Sequence, residues 1–351
     1  MSKASTKLSA ARLQRLLSGD YTARQVNAEL PALGTGTADV LVLAGADPGA
    51  MASLALDPDS AIFVPKSMGV RPEDVGGAQI LTYEGGPGSD DEEMLLAGGL
   101  VVGFQSYISA TFVPLTCPTS IQMTDVADYE SFHQDADAAV LTGTFADVLV
   151  HPLAMLGDLC GLGTEHSCAT PTRTRAVVGR DGVCRPSLAG LHFAPGEEPA
   201  TACSACLGGS VPPADLASAR AARPWLSRYL LVLDVLRLAG HRFGGPIEVS
   251  GFGHRLSADL DPVPVEAASA PVLLRVGAEH LVCDPPSRRV FRTGADAARI
   301  LEAVLAGDAG EPVDDVARHL DLSGATAAAA LADLQGTLNE LGFPLRLAEL
   351  A

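Results

Sequence analysis

Lysine is nearly missing from this chain: only Lys3, Lys7 and Lys66 occur, and Lys plus Arg total 24 against 42 Asp plus Glu. The net charge of −18 excludes the positive field that sequence-independent nucleic-acid binding needs. It also argues against docking on anionic membranes. Aromatic residues make up only 5% of the chain, with one tryptophan. No apolar run approaches the length that crosses a bilayer, so no membrane span is expected. The N-terminus, MSKASTKLSAARLQRLLSGDY, lacks the apolar stretch of a secretory signal. It reads instead as an amphipathic helix with Leu8, Leu13, Leu16 and Leu17 as its apolar positions. A cytoplasmic location is the expectation, and seven cysteines there do not form a disulfide framework.

Catalytic signatures are missing too. There is no H-E-x-x-H, no G-x-S-x-G and no phosphate-loop lysine. Gly34-Thr-Gly36 and Gly45-Ala-Asp-Pro-Gly49 flank a strand-like run without completing a dinucleotide fingerprint, and read as turns. The acidic run Asp90–Glu93 reads as a solvated loop. The scattered histidines have no motif to organise them, and Ser250-Gly-Phe-Gly-His254 reads as a glycine-hinged loop. The chain is therefore expected to be a recognition or scaffold subunit more than a catalyst. The competing reading is an enzyme whose site is assembled in the N-terminal region from residues distant in sequence.

What is present is 351 residues with 47% apolar content, enough for two or three globular domains. Asp39–Ala44, Ala61–Val64, Gln79–Thr82, a strand-rich Gly99–Val113 and Val148–Val150 read as strands, with a helix over Asp125–Ala136. This alternation predicts an α/β layer domain over residues 1–155. Residues 156–256 hold a Cys-, Gly- and Pro-rich segment and then a long helix over Pro213–Arg242. Ser257–Ala270 (SADLDPVPVEAASA) reads as a linker, and residues 271–351 as a final domain.

That final domain is the most informative part. Pro271–Val276, His280–Asp284 and Arg288–Thr293 are short strand-like runs; Ala295–Ala306, Val313–Leu320 and Ala325–Leu341 carry apolar residues at helical spacing. Pro312 suits a first helical turn, Ser323 suits an N-cap, and Gly342 followed by Pro344 ends the last helix. Three strands followed by three helices leave a sheet edge beside a groove, which suits an extended peptide.

The text HLVCDPPSRRVFRTGADAARILEAVL, PVDDVARHLDL and ALADLQGTLNELGF resembles the RiPP recognition element. This is the winged-helix-like domain of the pyrroloquinoline-quinone D-type chaperones; RiPPs are ribosomally made peptides that are modified afterwards. The resemblance covers about a quarter of the chain and implies that the leader of a precursor peptide binds as an added strand. Its site would be the edge residues Arg289, Val290, Phe291 and Arg292 together with the helix face Leu331, Leu334, Gln335 and Leu338. Taken singly, a leucine in such a stripe is more often core than groove, and edge arginines also discourage strand aggregation. Over its whole length the chain is similar to the stand-alone recognition proteins of daptide pathways. That likeness implies modifying enzymes as partners, an oxidoreductase and an aminotransferase among them. DNA binding is the weaker reading: residues 271–351 hold seven Arg against twelve Asp plus Glu, and the third helix has no basic residue.

Five cysteines, Cys160, Cys168, Cys184, Cys203 and Cys206, fall in one 47-residue window. Cys203-Ser-Ala-Cys206 is a C-x-x-C pair able to grip one metal ion, and tetrahedral zinc needs four donors. Cys160 and Cys184 are the expected completing pair, with Cys168 and His166 as alternatives, in a structural zinc site. Buried thiols are the competing reading. The stretch AVVGRDGVCRPSLAGLHFAPGEEPATACSACLGG loosely resembles the cysteine-rich accessory domain of some radical-SAM peptide-modifying enzymes. The C-x-x-x-C-x-x-C motif of that radical chemistry is missing, so its activity is not implied. Cys117 and Cys283 lie in apolar runs and read as core residues.

Overall fold

The computed structural model describes residues 12–13, 16–17, 39–43, 46, 60–71, 78–87, 92–163, 175–192, 206–243, 245–257, 260, 270–284, 289–306 and 311–343. The fold is mixed α/β, and the chain divides into two compact units. The first comprises residues 1–132 and 153–222; the second comprises residues 133–152 and 223–351.

The first unit is built on a nine-stranded mixed sheet. Its strands are β1 (Asp39–Val42), β2 (Ala61–Pro65), β3 (Gln79–Gly85), β4 (Glu92–Leu96), β5 (Leu100–Ser106), β6 (Thr119–Gln122), β7 (Ala154–Leu156), β8 (Arg175–Val178) and β9 (Cys184–Arg185), in the order β7-β6-β5-β4-β3-β2-β1-β8-β9. Pairing is parallel at β1–β2, β2–β3, β1–β8, β5–β6 and β6–β7, and antiparallel around β4 and at β8–β9. In β1, Leu41 joins a cluster with Phe63, Tyr83, Met94 and Phe104, while Val40 and Val42 join one with Ile62, Val64 and Val178. Both faces of the central strands are thus covered, which is why they read as continuous apolar runs. The N-terminal helical residues Leu13, Leu16 and Leu17 pack into the Leu41 cluster. The buried Tyr83 hydroxyl donates to the Val42 carbonyl, and burial raises its pKa.

Several elements depart from the sequence expectation. Glu92 and Glu93, read as part of an acidic loop, begin β4, where Met94 and Leu96 point into the core. Strand β5 gives way at Ser106 to helix α1 (Tyr107–Phe112), because the Ser106 side chain caps it by accepting from Ser109 N–H. Helix α2 spans Val126–Thr142; Asp125 Oδ1 accepts from Asp128 N–H at 2.9 Å at its start. Val148–Val150 is not a strand but part of a helical turn, α3 (Asp147–Val150). Another single turn, α4, covers Leu159–Leu162. The long helix expected over Pro213–Arg242 is two: α5 (Pro213–Ala222) and α6 (Leu226–Phe243). Pro224 lies between them, has no N–H to give and disfavours helical backbone in the residue before it.

The Cys-rich segment supplies β8 and β9 to the large sheet. In their turn Asp181 accepts from Val183 N–H and from both terminal nitrogens of Arg185, the shorter contact being 2.7 Å. The Arg185 hydrogen bonds, helped by the Val183 amide, lower the Asp181 pKa from 3.8 to about 2. A lowered carboxyl pKa adds turn stability above pH 3.8 that is lost as pH falls through about 2. The group is solvent-exposed, so the gain is small. A titration of the Val183 amide resonance is expected to report a midpoint near 2 in the native chain, and a midpoint raised toward 3.8, yet still below it because the Val183 amide remains, in Arg185→Ala. An unchanged midpoint in the variant would show that Arg185 is not the cause.

The second unit holds a four-stranded antiparallel sheet in the order β10-β11-β12-β13: β10 (Ile247–Val249), β11 (Val272–Val276), β12 (Glu279–Asp284) and β13 (Arg289–Thr293). Three helices follow: α7 (Ala295–Ala306), α8 (Pro312–Leu320) and α9 (Gly324–Glu340). Pro312 opens α8, and Ser323 caps α9 by accepting from Thr326 N–H. Gly342 stands at φ 71°, and Phe343 N–H closes the end of α9 on the Leu338 carbonyl at 2.8 Å. Strand β10 was not foreseen; it lies ahead of the segment read as a linker.

Elsewhere in this unit Phe145, Tyr229 and Phe252 form an aromatic cluster. The Ser250–His254 loop lies against the end of α2, where Gly253 N–H donates to Val140 O at 2.8 Å. A Cβ at Gly253 would stand 2.3 Å from Gly143 N, so close backbone approach explains that glycine. Arg228 on α6 is buried and donates to the carbonyls of Ala270 and Pro271, where β11 begins. Burial, with nearby Arg255, lowers its pKa to about 9, so it stays charged at neutral pH.

Candidate functional site

Strand β13 pairs with β12 on one side only, and no strand flanks its other side among the described residues. Beside it runs a groove of about 300 Å³, walled by β13, α7 and α9. Its floor is apolar: Phe291 from β13, Ile300 from α7, and Leu334 and Leu338 from α9. Its rim carries Arg292, Asp296, Asp333 and Thr337, with Ala330 and Leu341 toward the ends of the α9 face. Alternation along β13 puts Phe291 on the core face, where it stacks on Phe343 with centroids 6.0 Å apart and planes 6° from parallel. The Arg289 guanidinium carbon lies 4.8 Å from the Phe291 ring centroid, a cation–π contact. Exposed Arg292 reaches Glu279 Oε2 at 3.4 Å on the adjacent strand.

Four residues read from the sequence as peptide-binding line this groove: Phe291, Arg292, Leu334 and Leu338. Arg289 reaches it through its contact with Phe291. Leu331 is turned elsewhere, into a cluster with Ala303, Val304, Val316 and Ala327 between the helices. Val290 and Gln335 are half-buried and do not line the groove. Leu334 and Leu338, at 6% and 5% exposure, also belong to the cluster that holds the sheet to α7. Floor and core are therefore the same residues. Sequence reasoning did not single out Ile300, Ala330, Asp333 or Thr337, and it placed Leu341 in the apolar stripe of the helix without assigning it to the groove; Ala330, Thr337 and Leu341 lie four, three and seven positions from Leu334, on one helical face.

A second feature escaped the sequence altogether. Glu302 on α7 is fully buried and accepts from Ser250 Oγ–H, from Leu256 N–H at 2.7 Å and from Ser257 N–H. One carboxylate thus ties the loop after β10 to the helix that walls the groove. Nothing in the local pattern marks it, since a glutamate inside an amphipathic helix reads as a solvated position.

Of the cysteines, Cys184 is buried at the start of β9 in the cluster around Val42 and Val178. Cys206 is buried, and its carbonyl accepts from Ser187 Oγ–H. The side chain of Cys160, and all of His166, Cys168 and Cys203, lie outside the described residues. Among the described residues no group of three or more His, Cys, Asp or Glu side chains is placed to hold a metal ion. Cys283 is buried in β12 and Cys117 is half-buried ahead of β6. No helix among the described residues is long and apolar enough to cross a membrane.

Comparison with protein-family models, with curated proteins and with solved structures returns no match.

Proposed function

We propose that this chain recognises the leader segment of a ribosomally made precursor peptide and presents it to modifying enzymes. The observation that carries the reading is an apolar groove lying directly beside the open edge of β13 and walled by α7 and α9. An extended peptide pairing with the five residues of β13 would gain about 17 Å of main-chain ladder. Every second side chain of that peptide would face the groove, where Phe291, Ile300, Leu334 and Leu338 offer apolar contact. The ladder supplies affinity, and the apolar floor selects register. Asp296 and Asp333 on the rim favour a basic residue beside the apolar ones. The winged-helix-like arrangement inferred from sequence and the daptide-type partners, an oxidoreductase and an aminotransferase, belong to the same proposal.

The test is fluorescence anisotropy of labelled leader peptides, taken from small open reading frames beside this gene, against the full chain. Saturable binding that an unlabelled leader competes away supports recognition. Failure of every such peptide to bind would overturn it. Deleting residues 271–351 is not a clean control, because β11 pairs with β10 and Arg228 is bonded to residues 270 and 271.

A structural zinc ion on Cys160, Cys184, Cys203 and Cys206 is proposed alongside, to hold the Cys-rich segment. Total metal analysis of chain purified without chelator is expected to find stoichiometric zinc; substoichiometric metal would overturn the zinc site.

A further inference from the structure

The second unit contains another cavity, of about 390 Å³, on the opposite flank of α7 from the peptide groove. Residues 296, 297 and 300 of α7 line the groove, whereas residues 295, 298, 299 and 302 line this cavity. Its apolar floor includes Leu273 from β11, Ala298 from α7 and Leu320 from α8. Four basic side chains converge on it from four elements: Arg275 from β11, His280 from β12, Arg299 from α7 and His319 from α8.

The charge balance decides what such a cavity can hold. Glu302 is the sole acidic residue in its lining among the described residues. Its oxygens are already taken by Ser250, Leu256 and Ser257, and Arg275 is hydrogen-bonded to Glu248 across the strand pair. Arg299, His280 and His319 make no side-chain hydrogen bond or ion pair among the described residues. In a chain of net charge −18, a cavity whose rim brings one guanidinium without an acidic partner and two imidazole N–H groups together over an apolar floor is a local concentration of anion-binding donors.

We infer that this cavity binds a small organic anion, a carboxylate or phosphate carried on an apolar body. The guanidinium of Arg299 takes the anionic head by charge-assisted hydrogen bonds, with His319 and His280 as further donors, while Leu273 and Leu320 cover the apolar part. The site is independent of the peptide groove and stands whether or not the groove takes a leader.

The test is isothermal titration calorimetry of the full chain with phenyl phosphate and with benzoate, and with phenol as the neutral counterpart. Saturable binding of either anion, with phenol failing to bind, is the expected result; which anion binds tighter tells phosphate from carboxylate. Arg299 is exposed and makes no contact that the fold needs, so Arg299→Gln keeps the structure and is expected to weaken binding at least about tenfold. His319→Gln weakens it in the same direction. Ala330→Arg, in the peptide groove, leaves it unchanged. Equal binding of phenol, full binding by Arg299→Gln, or no saturable heat with either anion would each overturn the assignment.

Discussion

The double variant Ala330→Arg, Leu341→Lys is expected to weaken leader-peptide binding by about a hundredfold while the chain stays folded. Ala330 is half-buried and Leu341 is 39% exposed, and both line the α9 side of the groove. Arginine is a good helix former, and a lysine at the C-terminal end of α9 complements the helix dipole, so neither change harms the helix. Together they fill the groove with long charged side chains and take away an apolar contact. Phe291→Asp and Leu334→Asp also abolish binding, but for a different reason. Phe291 stacks on buried Phe343, and Leu334 lies in the core under the sheet, so a carboxylate there unfolds the module. Circular dichroism separates the two cases: native spectra for the double variant, lost helix signal for Leu334→Asp. Leader affinity unchanged in the folded double variant would remove the groove from the account.

Glu302→Ala is expected to lower the stability of the second unit by about 3 kcal/mol, measured by chemical denaturation. The carboxylate has no exposure, and its removal strands a hydroxyl and two backbone N–H donors at once. Each orphaned donor costs about 1–3 kcal/mol, and the sum is reduced because the loop can turn some of them to water. Glu302→Gln keeps an acceptor but offers its NH2 to the same donors, so it falls between the native chain and the alanine variant. A denaturation midpoint unmoved by Glu302→Ala would mean that the loop does not depend on α7.

The C-terminal strands and helices were legible because their signals are local. Pro312, Ser323 and Gly342 mark helix ends within a turn, and the apolar spacing of α7 and α9 is regular. In the first unit the pairings join distant residues: β1 pairs in parallel with β8, Val40 against Ala176, and no short window of sequence encodes that. Strand β4 was hidden by its acidic start, although Met94 and Leu96 carry the alternation. Val148–Val150 was misread because three apolar residues in a row suit a strand or a turn of helix equally.

The groove was partly legible for a similar reason. One stripe on α9 contains Leu331, Leu334 and Leu338, but the helix meets two neighbours. Leu334 and Leu338 turn to the sheet and α7, whereas Leu331 turns to Val304 and Val316. Periodicity finds the stripe and cannot say which of its residues sits beside an open edge. The contribution of α7, through Ile300 and Asp296, needed the packing itself.

Hydrogen–deuterium exchange of the full chain with and without a bound leader peptide tests the central claim most directly. Strand addition predicts new amide protection in β13, residues 289–293, together with slowed exchange along α9 from residue 330 to 341. Protection confined to the first unit, with β13 and α9 unchanged while the leader is bound, would contradict it.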